Sequence, residues 1–179
     1  MNRIVWTFGL IAGAVMAVMM FVNMQLLDRI GFDKGVVVGY TTMVIAFLMI
    51  FFGIRSYRDN VGGGSISFGR ALSIGVLITV VAGLCYVAAW ELVFYKFSPD
   101  FPDKYAAYEV EKVRKSGAPQ TAVDAKAQEM AEFKEMYKNP LINSAWTFLE
   151  PLPVGLIMTL ISALLLRRRK SRADQLGVA

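Results

Sequence analysis

Four long apolar segments limit the possible folds of this chain more than any other feature of its sequence. They cover approximately residues 4–27, 36–54, 68–97 and 141–166. A helix of about 18 or more apolar residues is long enough to cross the roughly 30 Å hydrocarbon layer of a membrane. Hydrophobic residues make up 56% of the chain, and they are concentrated in these segments. We therefore predict an all-α fold, an integral membrane four-helix bundle.

The segments divide the chain into four parts. We expect transmembrane helices 1–3 in residues 1–97, a helical hairpin in 98–140, transmembrane helix 4 in 141–166 and a basic cytoplasmic tail in 167–179. A signal peptide is the competing interpretation of the first segment, but its apolar run exceeds the usual ~7–15 residues. We interpret it as a retained transmembrane helix.

The predicted hairpin differs from its surroundings because charges of both signs alternate along it. Gly117-Ala118-Pro119 interrupts it, with a glycine suited to end one helix and a proline suited to begin the next. Met130, Phe133 and Tyr137 recur at helical spacing. We expect this apolar stripe to pack against the sister helix or the membrane helices, and a partner-binding groove is the alternative.

Small residues recur four apart in three of the apolar segments, where they allow another helix to approach closely. The three ridges are Gly9, Gly13 and Ala17; Gly75, Thr79 and Gly83; and Gly155, Thr159 and Ala163. The ridges or the hairpin are the places where we expect a protein partner or a second copy of the chain to bind.

Basic residues indicate the orientation, because positively charged loops remain cytoplasmic. Besides Arg3, the residues that we assign to topology and lipid headgroups are Arg55, Arg58, Arg70, Arg167, Arg168, Arg169 and Lys170. Four crossings place all of them on one side and the hairpin on the other. We predict a membrane protein with both termini cytoplasmic. The net charge of +5 then reflects contact with membrane lipids, and we expect no nucleic-acid binding.

Two local signals bear on the ends of helices. Ser67 precedes the third apolar segment and can cap its first turn, since a serine hydroxyl accepts a free backbone N–H there. In the fourth segment, Pro151 and Pro153 follow Glu150 and cannot donate backbone hydrogen bonds. We predict a kink or break in the fourth helix at this point.

Polar side chains inside the apolar segments are concentrated in the predicted outward half. They are Asn23, Gln25, Thr41, Thr42, Glu91 and Glu150. At ~1.5 Å per residue, Glu91 lies roughly 9 Å and Glu150 about 13 Å from the outer ends of their helices. A pocket with these two carboxylates as its anionic wall can bind a cation, a proton or an amine. Hydrogen bonding between helices is the alternative role for the same residues.

Several kinds of chemistry lack the residues that they need. Histidine is absent and Cys85 is the only cysteine, so we expect no metal site and no cofactor. Gly62-Gly63-Gly64 fits no nucleotide-binding fingerprint, and no Gly-x-Ser-x-Gly elbow is present. We therefore assign no catalytic residues and expect a protein that is not an enzyme.

Several stretches of this sequence resemble the bacterial membrane-protein family called domain of unknown function 4199. They are FFGIRSYRD at 51–59, Gly63-Gly64, ISFGRA at 66–71, FKEMYKNP at 133–140 and EPLPVGLI at 150–157. The resemblance covers nearly the whole chain. It implies a small four-helix inner-membrane protein of bacteria, and it implies no activity, substrate or catalytic residue.

Two functions remain compatible with the sequence. The first is a non-enzymatic membrane scaffold or accessory subunit that holds partners through the hairpin and the small-residue ridges. The alternative is a binding or translocation module for a cation, a proton or a small amphiphile that uses Glu91 and Glu150. We expect the first.

Overall fold

The chain is almost entirely helical in the computed structural model, which describes residues 1–168. The helices are α1 Asn2–Ile30, α2 Phe32–Asn60, α3 Phe68–Lys96, α4 Phe101–Lys115, α5 Gln120–Tyr137, α6 Pro140–Leu149 and α7 Leu152–Leu166. No strand occurs among residues 1–168, which confirms the all-α prediction. Arg169, Lys170 and the rest of the predicted tail lie outside the described residues.

Four helical segments are long and apolar enough to cross a membrane, as the sequence predicted. They are α1, α2, α3 and the segment Pro140–Leu166, which combines α6 and α7. The shorter helices α4 and α5 lie between α3 and α6 in the chain. The first three apolar runs therefore correspond to one helix each, and the fourth corresponds to α6 and α7 together.

The connections between the first three helices are shorter than we predicted. Only Gly31 separates α1 from α2, and its positive φ of 80° is a conformation that glycine adopts without steric cost. The other residues between the first two apolar segments, 28–30 and 32–35, are helical. Likewise, α2 continues to Asn60, with Arg55 paired to Asp59 four residues on, so the loop begins only at Val61.

The core lies where α1, α2, α3 and α7 meet. Phe47, Ile50, Ile74 and Ile78 are fully buried there. Helix α3 packs against both α1 and α7. Helix α2 also packs against both α1 and α7. Packing of these apolar faces holds the four helices together.

Small residues bring α3 close to its two neighbours. Added to Gly9 of α1, a Cβ would lie 2.7 Å from Val81 Cβ. Added to Gly75 of α3, it would lie 2.5 Å from Thr159 Cγ2 of α7. A Cβ added to Gly155 of α7 would likewise collide with the Thr79 side chain of α3. The ridges thus provide close helix contacts within this chain.

Local signals at two helix ends behave as predicted. The Ser67 hydroxyl accepts a hydrogen bond from the Arg70 backbone N–H at 3.3 Å and caps α3. Helix α6 ends at Leu149 and α7 begins at Leu152, so the fourth apolar segment is broken at Glu150 and Pro151. The break places a carboxylate between two helices.

Helices α4 and α5, here called the α4–α5 pair, pack along each other through aromatic rings. Tyr105 of α4 contacts Phe133 of α5 with ring centroids 5.7 Å apart, and Asp103 forms an ion pair with Lys134. Tyr137 reaches α3, where its ring lies 5.6 Å from that of Phe94. Phe133 and Tyr137 therefore make the packing contacts that we expected of their stripe.

Within residues 1–168, the arginines that we assign to topology lie at one end of the helices, here called the basic end: Arg3, Arg55, Arg58, Arg70, Arg167 and Arg168. Arg55 and Arg58 lie near the end of α2 and Arg70 near the start of α3. Arg168 pairs with Ile66 through two backbone hydrogen bonds of 3.0 Å, which join the end of α7 to the α2–α3 loop. The start of α1 lies at this end too, since the Arg70 guanidinium is 3.6 Å from Met1 Sδ.

Candidate functional site: a cavity between the apolar helices

A cavity of about 180 Å³ lies in the half of the molecule away from the basic end. Its walls come from the second half of α1, the first half of α2, the end of α3 and α6. The α4–α5 pair contributes Phe101, Tyr105 and Tyr137 to the lining. The cavity is thus enclosed by helices on its sides and covered by the α4–α5 pair.

The walls consist mainly of thioether and aromatic side chains. The five methionines are Met16, Met19, Met20, Met24 and Met43, and the six aromatic residues are Phe32, Tyr86, Trp90, Phe101, Tyr105 and Tyr137. Trp90 has its ring centroid 5.0 Å from that of Phe101 and 6.5 Å from that of Tyr137. Methionine is flexible and polarisable, so such walls adapt to ligands of different shapes.

Glu150 is the only charged residue among those lining the cavity. It stands at the break between α6 and α7, which Pro151 enforces because proline has no N–H to continue the helix. The Tyr86 hydroxyl of α3 donates a hydrogen bond to Glu150 Oε2 at 3.0 Å. No lysine or arginine among residues 1–168 forms an ion pair with this carboxylate.

Asn23 supplies a second polar group to the cavity wall. Its Nδ2 donates to the Gly35 carbonyl at 3.0 Å, which links α1 to α2. Gly35 permits this approach, since a Cβ there would lie 2.7 Å from Leu27 Cδ1. The Asn23 Oδ1 atom is buried and accepts no hydrogen bond from the described part of the chain. It remains available as an acceptor.

Three of the six predicted pocket residues line this cavity: Asn23, Thr42 and Glu150. The other three, Gln25, Thr41 and Glu91, are not part of the lining. Thr41 donates to the Val37 carbonyl of its own helix at 2.7 Å. Glu91 accepts a hydrogen bond from Ser144 Oγ at 2.7 Å, between α3 and α6. The cavity thus has one carboxylate on its wall, and Glu91 takes the interhelical hydrogen-bonding role.

A buried tryptophan–asparagine pair beside the cavity was not anticipated from the sequence. The Trp90 indole N–H donates to Asn143 Oδ1 at 2.8 Å, which connects α3 to α6. Asn143 is completely buried, and the nearby Thr147 hydroxyl donates to its backbone carbonyl at 2.9 Å. An asparagine within the apolar fourth segment was the available signal. This pair fixes the indole ring in the cavity wall.

The α4–α5 pair is fastened over the cavity at the α1–α2 connection. The Phe32 ring at the start of α2 lies 4.9 Å from Tyr108 of α4 and 5.6 Å from Tyr105. Lys112 Nζ of α4 lies 2.6 Å from Asp33 Oδ1, and this carboxylate raises the pKa of the lysine. At the other side, burial raises the pKa of the Tyr137 hydroxyl. Aromatic contacts and an ion pair thus hold α4 against the start of α2.

Among residues 1–168, no group of three or more His, Cys, Asp or Glu residues is placed to hold a metal ion. The fold and the cavity instead define an all-helical protein with four potential membrane spans and an internal space for a small molecule. The chain belongs to the family described as protein of unknown function (DUF4199), whose model matches residues 7–168. No curated protein matches the chain, and no solved structure matches it either.

Proposed function

We propose that this protein binds a small amphiphilic molecule in the cavity between its apolar helices. We further propose that it resides in a bacterial inner membrane as a four-helix bundle, with both termini cytoplasmic and the α4–α5 pair forming an extracytoplasmic helical hairpin. Binding, with or without translocation, is its activity, and no catalytic step is proposed.

The composition of the cavity wall carries this proposal. Binding sites for small molecules are typically lined by apolar and aromatic groups with a few polar groups that orient the ligand. Methionine and aromatic residues form most of this wall, and Asn23, Tyr86 and Glu150 place polar atoms in it. The orientation is supported by the basic end, because positively charged loops remain cytoplasmic. With that orientation, the cavity lies in the outer half of the membrane.

Filling the cavity tests the proposal. Gly39 of α2 lines the cavity, and a Cβ added to it meets no atom within 4 Å. We expect Gly39→Leu to occupy the space and to weaken binding of the fluorescent amphiphile N-phenyl-1-naphthylamine by about tenfold or more, equivalent to about 1.4 kcal/mol. The measurement is a fluorescence titration of the purified protein in lipid nanodiscs, corrected with empty nanodiscs.

Gly69→Leu is the matched control for this experiment. Gly69 lies in the first turn of α3, where an added Cβ also meets open space, but it does not line the cavity. This variant should bind the probe as the wild type does. Equal binding by wild type, Gly39→Leu and Gly69→Leu would overturn the cavity as the binding site.

A scaffold or accessory subunit is the second candidate function. The observation in its favour is an open groove along the α4–α5 pair, which Ala107, Ala127 and Ala131 line. Small side chains along two helices leave room for a further helix to approach. If Gly39→Leu binds the fluorescent probe as the wild type does, the scaffold function is the better explanation.

A further inference from the structure

We infer that the ligand of this cavity is a monovalent organic cation, an amine or quaternary ammonium compound with apolar substituents, held by Glu150 and the aromatic wall. This inference rests on the proposed function, because it specifies the ligand class of the same cavity. Three independent observations on the lining residues support it: the charge, the aromatic faces and the unused hydrogen-bond acceptors.

The first observation is the charge of the wall. Glu150 is the one charged residue in the lining, and its hydrogen-bond partner, Tyr86, is neutral. A charged carboxylate inside a membrane protein is costly, and the hydroxyl of Tyr86 supplies a donor but no positive charge to balance it. A ligand with a single positive charge supplies that charge, whereas an anionic ligand would add a second negative charge to the same site.

The second observation is the aromatic wall next to this carboxylate. Aromatic faces attract cations, and quaternary ammonium groups are typically bound in cages of such rings. Tyr86 holds Glu150 by its hydroxyl and also lines the cavity. The indole of Trp90, the best of the aromatic rings for this interaction, lies beside Tyr137 in the same wall. The hydrogen bond from Trp90 to Asn143 keeps the indole in place.

The third observation is that two polar groups of the wall, Asn23 and Glu150, have acceptor atoms with free lone pairs. The Asn23 amide N–H donates to the Gly35 carbonyl, and the Asn23 Oδ1 atom accepts no hydrogen bond from the described residues. The Tyr86 hydroxyl donates its hydrogen bond to Glu150, and the carboxylate has further lone pairs that can accept. Such a wall suits a ligand that brings positive charge or N–H donors.

A pair of probes of the same shape tests the ligand class. Benzyltrimethylammonium carries one positive charge, and neopentylbenzene is its uncharged carbon analogue. In a Trp6→Phe/Trp146→Phe background, Trp90 is the only remaining tryptophan of three, so its emission reports on the cavity. We expect the wild-type cavity to bind the cation at least about tenfold more tightly, as a desolvated cation–π contact allows.

Glu150→Gln should lower this preference for the cation, because the charge of Glu150 is lost and only the cation–π contacts of the aromatic wall remain. The glutamine Oε1 can still accept the hydrogen bond from Tyr86, so the fold is retained while the charge is lost. Glu91→Gln is the matched control, since Glu91 bonds to Ser144 and does not line the cavity. This control should keep the wild-type preference, and thermal unfolding of both variants checks that they fold.

The outcomes separate this inference from the proposed function. If the wild type binds the neutral probe as tightly as the cation, or if Glu150→Gln leaves the preference unchanged, the ligand class is wrong. Binding of either probe that Gly39→Leu weakens would still support the cavity. If neither probe changes the Trp90 emission and Gly39→Leu is silent with the fluorescent amphiphile, both proposals are overturned.

Discussion

At the scale of single residues, the hydrogen bond between Trp90 and Asn143 is the contact on which the cavity wall depends most. It joins α3 to α6, and both residues are buried. A buried donor that loses its partner cannot turn to water, so it costs free energy. Trp90 also contributes its ring to the wall. One polar contact therefore stabilises the fold and orients a proposed binding group.

We expect Asn143→Ala to lower the free energy of unfolding by about 1–2 kcal/mol, because it leaves the Trp90 indole N–H without its acceptor. The measurement is unfolding in mixed micelles with increasing dodecyl sulfate, followed by circular dichroism. Asn60→Ala is the control, since Asn60 is exposed at the end of α2 and bonds to the Ser56 carbonyl. Equal losses in the two variants would contradict the role given to the buried pair.

The residues of the cavity could be predicted from sequence only in part, because sequence determines depth better than rotation. Depth along a helix follows from counting residues, and Asn23, Thr42 and Glu150, which that count places at similar depths, line one cavity. Successive residues of a helix differ in direction by about 100°, so the face that each presents depends on how the helices pack. For that reason the sequence could not separate Glu91, bonded to Ser144, from Glu150.

At the scale of elements, α3 and α7 cross at close range through a reciprocal pair of contacts. Each helix places a glycine against a threonine of the other: Gly75 against Thr159, and Gly155 against Thr79. The two backbones approach closely because neither glycine has a side chain. Van der Waals packing of this kind is the main source of helix association in a lipid environment.

Gly75→Ala should therefore destabilise the protein by about 1–3 kcal/mol, the usual cost of overpacking. Its Cβ would lie 2.5 Å from Thr159 Cγ2, so the helices must separate. Combining it with Thr159→Ala should restore most of the loss, since the threonine hydroxyl has no partner among the described residues. The same dodecyl sulfate titration measures both variants.

Gly69→Ala gives the opposite expectation on the same helix. An added Cβ there meets open space, and alanine is favoured over glycine within a helix by roughly 0.5–1 kcal/mol. We expect a small gain in stability. A gain for Gly75→Ala as well would show that the α3–α7 crossing can relax freely.

The helices themselves could be predicted because their signals are local. The first three apolar runs each form one helix, Ser67 caps α3, and the fourth run is broken into α6 and α7 beside Pro151. The connections were predicted too long, because charged residues such as Arg55 and Asp59 also form good helical pairs. Hydropathy marks the apolar core of such a helix and not its polar ends.

At the scale of the whole molecule, the basic end and the covered cavity occupy opposite ends of the helices. This arrangement supports an oriented membrane protein with the α4–α5 pair outside. Cysteine labelling in a Cys85→Ala background tests it, because Cys85 is the only native cysteine. Ser116→Cys places a thiol at the exposed turn between α4 and α5, and Asn60→Cys places one at the exposed end of α2.

A membrane-impermeant maleimide should label the Ser116→Cys variant in spheroplasts and the Asn60→Cys variant only after the membrane is permeabilised. The physical reason is that Asn60 lies near several arginines, and positively charged loops remain on the cytoplasmic side. Labelling of Asn60→Cys alone in sealed spheroplasts would reverse the proposed orientation.

The pairing of Ile66 with Arg168 has a consequence for the order in which the protein is made. A ribosome synthesises Ile66 long before it reaches Arg168, so Ile66 in the α2–α3 loop has no bonding partner until the end of α7 has been made. Its two backbone hydrogen bonds can form only after α7 has been synthesised and has packed against α3. The pairing of Ile66 with Arg168 is therefore a late event in the synthesis of the protein. It forms only after α1 to α7 have all been made.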